Sequence, residues 1–443
     1  MWGRGTRAGL TTGIPFETEP MVSSAASKIR TPIPGIPAPA APWGQETVCC
    51  SPELARRLSN RTPLRQEVAV VLGAGGALGP DVVHGLLRRV SVVVGVDLHL
   101  TYVVSGATYR QLDLCDAGAV HEFFSGLRGW ANEHGLQLGT CYDLATIQTS
   151  PSEQADRGAL GAGKQAVLAA LGEGKHGARL VYMSTAEVYG APPGAPYAED
   201  HEKAPINVYG RHKLLEENAV LSADQPGDNG IRTVALRTWT ISMVNFDDQG
   251  RVRSARNYND PMIALAKKMA SAGLTVPVAN PDLRAQFHRS EEVAEVCVRL
   301  GEQPHDSDVW GRAWNCIGKA TTHGRMRDVC LRMFASHLVI VSPWWAKGVD
   351  RLLRSAWLTK TVIGGIAQLI HRVGGWLGAT RFGERLPFLY RSTDIDATEL
   401  RQLLGTQLTE PAGNPSEEAI ALLCEGICVG GPQALNFRRY QMY

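Results

Sequence analysis

The chain has 443 residues, with 45 Lys and Arg residues against 43 Asp and Glu residues, and 44% of its residues are hydrophobic. This composition is typical of a soluble enzyme with a large buried core. A formal net charge of +2 is too small to favour nucleic acid or an anionic membrane, so we expect a small-molecule substrate and no nucleic-acid partner.

Residues 1–65 are predicted to be an unstructured N-terminal extension. Gly, Ser, Thr and Pro dominate it, and five prolines between residues 32 and 42 favour an extended path. The alternative is a docking arm that orders on a partner. The segment lacks the apolar core of a signal peptide, but the absence of acids from its first sixteen residues leaves a transit peptide open.

From residue 67 onwards, short apolar runs alternate with helical stretches. Strands are predicted at residues 68–72, 92–96, 141–145, 179–184 and 232–237, with a short one ending at 113, and helices at 120–127, 161–171 and 209–221. This alternation predicts an α/β fold with a Rossmann-type, doubly wound parallel sheet over residues 66–238 and a return segment at 286–318. A smaller mixed substrate-binding lobe is predicted from residues 239–285 and 319–443.

A glycine-rich turn follows the first strand, with glycines at Gly73, Gly76 and Gly79. This GxxGxxG spacing between a strand and a helix lets the backbone approach a pyrophosphate, and the helix N-terminus adds N–H groups and positive potential. The turn, including Ala77 and Leu78, is therefore predicted to bind a dinucleotide. In isolation, the same spacing would indicate only a tight turn.

Asp97 ends the second apolar run, eighteen positions after the last turn glycine. An acid near this offset accepts hydrogen bonds from the adenosine ribose and repels a 2′-phosphate, so NAD is favoured over NADP. The alternative is a helix cap or a solvated turn acid. Asp113 is predicted to meet the adenine edge beside Leu114, and Leu144 and Ala145 are predicted to contact the cofactor after the next strand.

Tyr209 and Lys213 are four positions apart at the head of a predicted helix, which puts both on one face. The ammonium lowers the pKa of the phenol and grips the nicotinamide ribose, so the phenolate can take a proton from a substrate hydroxyl as hydride leaves its carbon. A YxxxK pair alone is common on helix surfaces. Here it begins 25 residues beyond Ser184, the first residue of the sequence STAEVYG.

These motifs, in this order, resemble the extended short-chain dehydrogenase/reductase family, the NAD-dependent epimerases and dehydratases. The similarity runs from about residue 68 to residue 300, and more faintly to residue 404. The resemblance implies that Thr185 hydrogen-bonds the reacting oxygen, that Tyr209 is the acid/base and that Lys213 is its partner. It also implies that Asp97 and the three turn glycines hold NAD.

Glu187 follows Thr185 by two positions. By resemblance, the family's sugar-nucleotide dehydratases and decarboxylases use a carboxylate there to move a proton next to a transient ketone. Ala186 stands where dehydratases usually carry an Asp, which argues against water elimination and leaves epimerisation or decarboxylation open. The alternative is that Glu187 only accepts a hydrogen bond from a neighbouring backbone amide.

Departures from the family pattern concern the substrate. Ala285 occupies the place of an arginine that often holds a nucleotide phosphate, with Arg284 one position away. The leading expectation is an oxidoreductase or epimerase acting on a secondary alcohol of a sugar-like, nucleotide-sugar substrate. The alternatives are a hydroxysteroid-dehydrogenase-like enzyme for an apolar alcohol or β-hydroxy acid, and a cofactor-sensing protein without turnover.

Residues 344–377 are apolar and aromatic at helical spacing with Lys and Arg between them, which favours packing helices over the alternative of an interfacial surface. No window reaches the ~18 apolar residues of a membrane span. The nine cysteines are scattered without paired CxxC spacings, which predicts reduced thiols, no metal site and a cytoplasmic location. The sequence leaves a homodimer open.

Overall fold

A computed structural model of the chain describes residues 47–48, 65–76, 78–100, 103–146, 153–173, 177–190, 194–227, 230–242, 244–246, 252–255, 267, 269–270, 274, 278, 280–337, 355, 391–405 and 414–429. All of them belong to one compact unit, residues 40–443. Ala77, most of residues 1–65 and residues 344–377 apart from Ser355 lie outside the described residues, so the expectations for them stay predictions.

The secondary structure follows the predicted alternation of strands and helices. The strands are β1 (Thr47–Val48), β2 (Arg65–Leu72), β3 (Val90–Asp97), β4 (Thr108–Gln111), β5 (Gln137–Asp143), β6 (Arg179–Met183), β7 (Arg232–Arg237), β8 (Thr240–Ser242), β9 (Val244–Phe246), β10 (Val252–Ala255), β11 (Arg284–Ala285), β12 (Phe287–Arg289), β13 (Ala313–Asn315) and β14 (Thr321–Thr322). The helices are α1 (Gly79–Leu86), α2 (Ala117–Glu133), α3 (Glu153–Gly172), α4 (Val208–Ser222), α5 (Ser290–Gly301), α6 (His323–His337), α7 (Thr398–Leu404) and α8 (Pro415–Val429), with a 3₁₀ helix at Ala186–Tyr189.

The main sheet has the strand order β1-β4-β3-β2-β5-β6-β7-β13. The seven strands from β4 to β13 are parallel, which confirms the predicted doubly wound α/β fold. The chain winds outward from β2 to β4 and then returns to the other side of β2 at β5. Open sheets of this kind bind ligands at the carboxyl ends of the strands beside such a reversal.

The edge strand β1 lies within residues 1–65, the segment predicted to be an N-terminal extension. Thr47 and Val48 form a strand antiparallel to β4, with Thr47 opposite Arg110. Backbone pairing with an exposed sheet edge requires no apolar pattern, so composition alone does not reveal it.

The core lies on both faces of the sheet because β2 is apolar at every buried position. Ala69 and Val71 pack in a cluster with α1 and α5, whereas Val68, Val70 and Leu72 pack in a second cluster with α2 and α3. Side chains of a strand alternate between the two faces, so a strand covered by helices on both sides needs a continuous apolar run. This packing fixes the carboxyl end of β2 and the glycine turn that follows it.

A smaller cluster lies beyond the main sheet. It joins Phe287 of β12 to Val329 and Phe334 of α6 and to Ile420 and Leu423 of α8. Strand β12 pairs in parallel with β8, which follows β7 of the main sheet, so the small cluster is attached at the carboxyl side of β7. In the part of the chain that the structure describes, we find no helix with the length and hydropathy needed to cross a membrane.

Candidate active site

The glycine turn has three positions where a side chain would not fit. Gly73 has φ of +78°, and a Cβ there would lie 2.9 Å from the backbone nitrogen of Ala145. At Gly76 a Cβ would lie 2.8 Å from the carbonyl oxygen of Gly73, and at Gly79 it would collide with the carbonyl of Ala74. Only Gly73 therefore needs the positive φ, whereas Gly76 and Gly79 are needed for the close approach of backbone to backbone.

Asp97 lies beside this turn at the end of β3. Its Oδ2 accepts a hydrogen bond from the backbone N–H of Gly75 at 2.9 Å, and its Oδ1 accepts one from His99 at 3.1 Å. Each carboxylate oxygen has a further lone pair with which to accept a hydroxyl. The structure thus brings together the turn and the acid that the sequence singles out, and Leu78 is buried at the start of α1.

The other residues predicted to contact the cofactor divide into two pairs. Leu144 and Ala145 follow β5 and face the turn, since the N–H of Leu144 donates to the carbonyl of Leu72 at 3.0 Å. Asp113 is exposed after β4, and its Oδ1 accepts from the N–H of Cys115 at 2.8 Å. The side chain of Leu114 is buried in the cluster between the sheet and α2.

Thr185 and Glu187 lie just beyond the carboxyl end of β6. The Thr185 hydroxyl caps the 3₁₀ helix by accepting from the N–H of Glu187 at 3.2 Å. The Glu187 carboxylate accepts from the side-chain amide of Asn207 at 2.5 Å, while Oδ1 of Asn207 caps α4 by accepting from the N–H of Gly210 at 2.7 Å. Glu187 is therefore tied to the residue that begins the helix of Tyr209, a side-chain contact that sequence reasoning missed.

Tyr209 is partly exposed in the first turn of α4, whereas Lys213 is buried one turn later. The Lys213 Nζ donates to the backbone carbonyl of Met183 at 2.8 Å and to the hydroxyl of Tyr182 at 3.1 Å. Met183 is the last residue of β6, two positions before Thr185. The YxxxK helix is thus anchored to the sheet edge at which Thr185 lies.

Beside Lys213 lies a group of ionisable side chains, here called the charge cluster: Asp143, Lys164, Tyr182 and Lys213, which are buried, and Glu216, which is partly buried. The Lys164 Nζ is 2.8 Å from Oδ2 of Asp143 and 3.4 Å from Oε2 of Glu216, and the Tyr182 hydroxyl donates to the same Glu216 oxygen at 2.6 Å. Sequence reasoning missed Lys164 and Glu216, and the one available signal was a lone lysine in the apolar stretch of α3.

In the charge cluster, burial and the neighbouring charges have opposite effects on the pKa values of Lys164 and Glu216. Burial disfavours the charged form of Lys164, but Asp143 and Glu216 outweigh it and raise the pKa of Lys164. Burial alone would raise the pKa of Glu216, but the two lysines lower it. Burial, followed by the nearby Glu216 carboxylate, raises the pKa of Tyr182 well above its usual value. The tyrosine therefore stays a neutral hydrogen-bond donor.

Residues 285 and 284, the position of the expected phosphate-binding arginine and its neighbour, point to opposite sides of their strand. Ala285 is buried in the small cluster, whereas the Arg284 side chain is 54% exposed and its Nε lies 2.9 Å from Oδ2 of Asp394. Successive residues of a strand point to opposite sides, so Arg284 does not replace an arginine at position 285.

A cavity of about 690 Å³ lies at a different part of the sheet, and its lining includes Arg232, Trp310, Arg312 and Glu399. Arg232 begins β7, so this cavity is beside the amino ends of the strands and includes none of the predicted site residues. Among the described residues, no group of three or more His, Cys, Asp or Glu side chains is arranged to hold a metal ion.

Comparison with known sequences gives a consistent set of relatives. The sequence model of the RmlD substrate binding domain matches residues 68–268. A dTDP-4-dehydrorhamnose reductase of Mycobacterium tuberculosis is 32% identical over 256 residues, which cover 53% of this chain and 76% of the reductase. A UDP-glucose 4-epimerase of Azospirillum brasilense is 36% identical over 88 residues, which cover 20% of this chain and only 24% of the epimerase.

Solved structures show the same fold. The Bordetella bronchiseptica enzyme WbmG, crystallised with NAD and UDP, aligns with a TM-score of 0.54 at 17% identity, covering 82% of this chain and 94% of the enzyme. The UDP-glucose 4-epimerase of Thermotoga maritima, crystallised with UDP-glucose, aligns with a TM-score of 0.53 at 15% identity, covering 81% and 98%.

Proposed function

Because the chain belongs to the extended short-chain dehydrogenase/reductase family, the NAD-dependent epimerases and dehydratases, we propose that it is an NAD-dependent oxidoreductase or epimerase acting on a secondary alcohol of a nucleotide sugar. The observation that carries this proposal is the anchoring of Lys213 at the end of β6, beside Thr185. The names of the relatives favour nucleotide sugars over the apolar alcohols that the sequence left as an alternative.

The residues of the turn fit a dinucleotide. The turn runs from Gly73 and Gly76, where close backbone packing requires glycine, directly into α1, whose N-terminus favours the negative charge of a pyrophosphate. Asp97, hydrogen-bonded to the turn at Gly75, is suited to accept the ribose hydroxyls and to repel a 2′-phosphate. We therefore assign NAD as the cofactor, with Leu144 and Ala145 beside it, and NAD when bound would supply the hydride acceptor.

We assign the transfer of the substrate's hydroxyl proton to side chains of this chain. We assign Tyr209 as the base that takes the proton from the substrate hydroxyl while hydride leaves the same carbon, which yields a ketone. Lys213 stabilises the phenolate of Tyr209 by its positive charge. The Thr185 hydroxyl is assigned to hydrogen-bond the reacting oxygen, and the reverse sequence of steps reduces a ketone.

Two reactions fit this assignment, and the relatives are named for both. An epimerase returns the hydride to the other face of the ketone, whereas a reductase delivers hydride to a ketone that arrives as substrate. In a reaction that moves a second proton, Glu187 would carry it. In direct reduction, Glu187 would serve only to hold Asn207 and the start of α4.

The proposal is tested by Tyr209→Phe. We expect turnover of UDP-glucose or of dTDP-4-dehydrorhamnose to fall at least ~100-fold, since general acid/base groups typically contribute that much. Native mass spectrometry should show unchanged NAD retention. The control is Tyr142→Phe, which removes the hydroxyl of a tyrosine buried in the α1 and α5 cluster and should leave turnover intact. Unchanged turnover in Tyr209→Phe, or turnover of apolar alcohols alone, would contradict the proposal.

A further inference from the structure

The charge cluster combines residues from four elements. Asp143 comes from β5, Lys164 from α3, Tyr182 from β6, and Lys213 and Glu216 from α4. Both ammonium groups lie over the ring of Tyr182, at 4.8 Å for Lys164 and 4.7 Å for Lys213. The Lys213 Nζ is also 3.8 Å from Oε2 of Glu216. The lysine of the YxxxK pair is thus a member of this network.

The charge cluster contains two ammonium groups and two carboxylates, so its net charge is zero. Asp143, Lys164 and Lys213 are each at most 5% exposed. A buried charge is costly unless it is paired, and removal of one member leaves its partner uncompensated. Deleting either Lys164 or Glu216 therefore changes the electrostatic potential at Lys213, and the two deletions change it in opposite directions.

Lys164 also connects the charge cluster to the glycine turn. Its Nζ donates to the backbone carbonyl of Ala145 at 3.0 Å, and the N–H of Ala145 donates to Oδ1 of Asp143 at 3.1 Å. Both backbone groups of Ala145 are therefore held by this ion pair. Ala145 in turn packs against Gly73, at a distance that leaves no room for a Cβ.

We propose that Lys164 and Glu216 are positioning residues that set the proton affinity of Tyr209 through Lys213, and that Lys164 also holds Ala145 against the glycine turn. The inference rests on the proposed role of Tyr209. Neither residue contacts the substrate. Both act on Tyr209 indirectly, because they set the net charge of the charge cluster and hold the Lys213 ammonium in position.

The sign of each effect follows from the charged groups of the charge cluster, which are Asp143 from β5, Lys164 from α3 and Glu216 from α4. The neutral titratable groups there are Tyr182 from β6 and the thiol of Cys141 on β5, close to Asp143. Lys164→Met leaves a net negative charge, which disfavours the phenolate and raises the pKa of Tyr209. Glu216→Gln leaves a net positive charge and lowers that pKa.

The experiment is a spectrophotometric pH titration of tyrosinate absorbance, with the same protein carrying Tyr209→Phe subtracted so that only Tyr209 is observed. We expect a shift of about one pH unit upward for Lys164→Met and about one unit downward for Glu216→Gln. The double variant restores neutrality and should return to the parent value. Lys164→Arg keeps the charge and should stay near the parent value as well.

The outcomes separate this inference from the proposed function. Shifts in the same direction, or no shift in either single variant, would overturn the inference even if Tyr209→Phe abolishes turnover. Opposite shifts restored in the double variant support it, and the titration requires no substrate. If Lys164→Met does not fold by circular dichroism, the downward shift of Glu216→Gln decides the question by itself.

Discussion

Glu216 and Glu217 are adjacent residues of α4, yet their carboxylates enter two different buried networks. Glu217 accepts from Nη2 and Nε of Arg237 at 2.6 and 3.0 Å, and from the Ser184 hydroxyl at 2.6 Å. Glu216 is shared by two lysines and the hydroxyl of Tyr182. One network is closed around a single ion pair, and the other leads to the lysine of the proposed active site.

The difference shows how one helix can serve stability and chemistry at neighbouring positions. Successive helical residues point in directions about 100° apart, so Glu216 and Glu217 meet different elements. The bidentate pair between Glu217 and Arg237 matches every charge locally and joins α4 to β7. In the charge cluster, Lys164 and Lys213 each have an acceptor besides Glu216, so loss of this carboxylate changes the net charge but leaves neither ammonium without a hydrogen-bond acceptor.

The comparison is tested most strongly by Glu217→Gln. This change leaves the Arg237 guanidinium buried without a counter-ion, although it keeps its contact with the Tyr189 hydroxyl at 2.7 Å. We expect the free energy of unfolding to fall by about 3–5 kcal/mol, the usual cost of breaking a buried pair. Urea denaturation measures it, with Glu122→Gln on the exposed face of α2 as control. If the free energy of unfolding falls no more than it does in the control, the ion pair between Glu217 and Arg237 does not stabilise the fold.

The matched change one position earlier, Glu216→Gln, should cost less. After it, Lys164 keeps Asp143 at 2.8 Å and Lys213 keeps the Met183 carbonyl, so neither ammonium is left without an acceptor. We expect a loss of about 1.5–3 kcal/mol in the same urea experiment, the value of a hydrogen bond to a charged group. If Glu216→Gln destabilises the protein as much as Glu217→Gln does, the distinction between the two networks is wrong.

Much of the fold was predictable because its signals are local. The apolar run of β2, the glycine turn beyond it and the acid that ends β3 lie within about 30 consecutive residues, and the structure brings Asp97 into contact with the turn at Gly75. Each of these features depends on periodicity or on backbone geometry that a short window of sequence reveals.

The charge cluster was not predictable because its members are distant in sequence. Lys164 is a lone charge in an apolar helical stretch, a pattern that ordinarily indicates a solvated position, and Asp143 and Glu216 are far from it along the chain. The three side chains come together only when β5, α3 and α4 converge. The contact between Glu187 and Asn207 is missed for the same reason, since twenty residues separate them.

The smallest expected effect is on how the free energy of unfolding changes as the pH falls below neutrality. The lysines hold the pKa of Glu216 below its usual value against the opposing effect of burial, so this carboxylate stabilises the folded chain above the ordinary carboxyl pKa. That contribution is lost as pH falls through the lowered, folded-state pKa. Glu216→Gln should therefore make the free energy of unfolding less dependent on pH on the acid side. Urea midpoints collected from neutral pH downward measure this slope, and an unaltered slope in Glu216→Gln would mean that the lysines do not stabilise its charge.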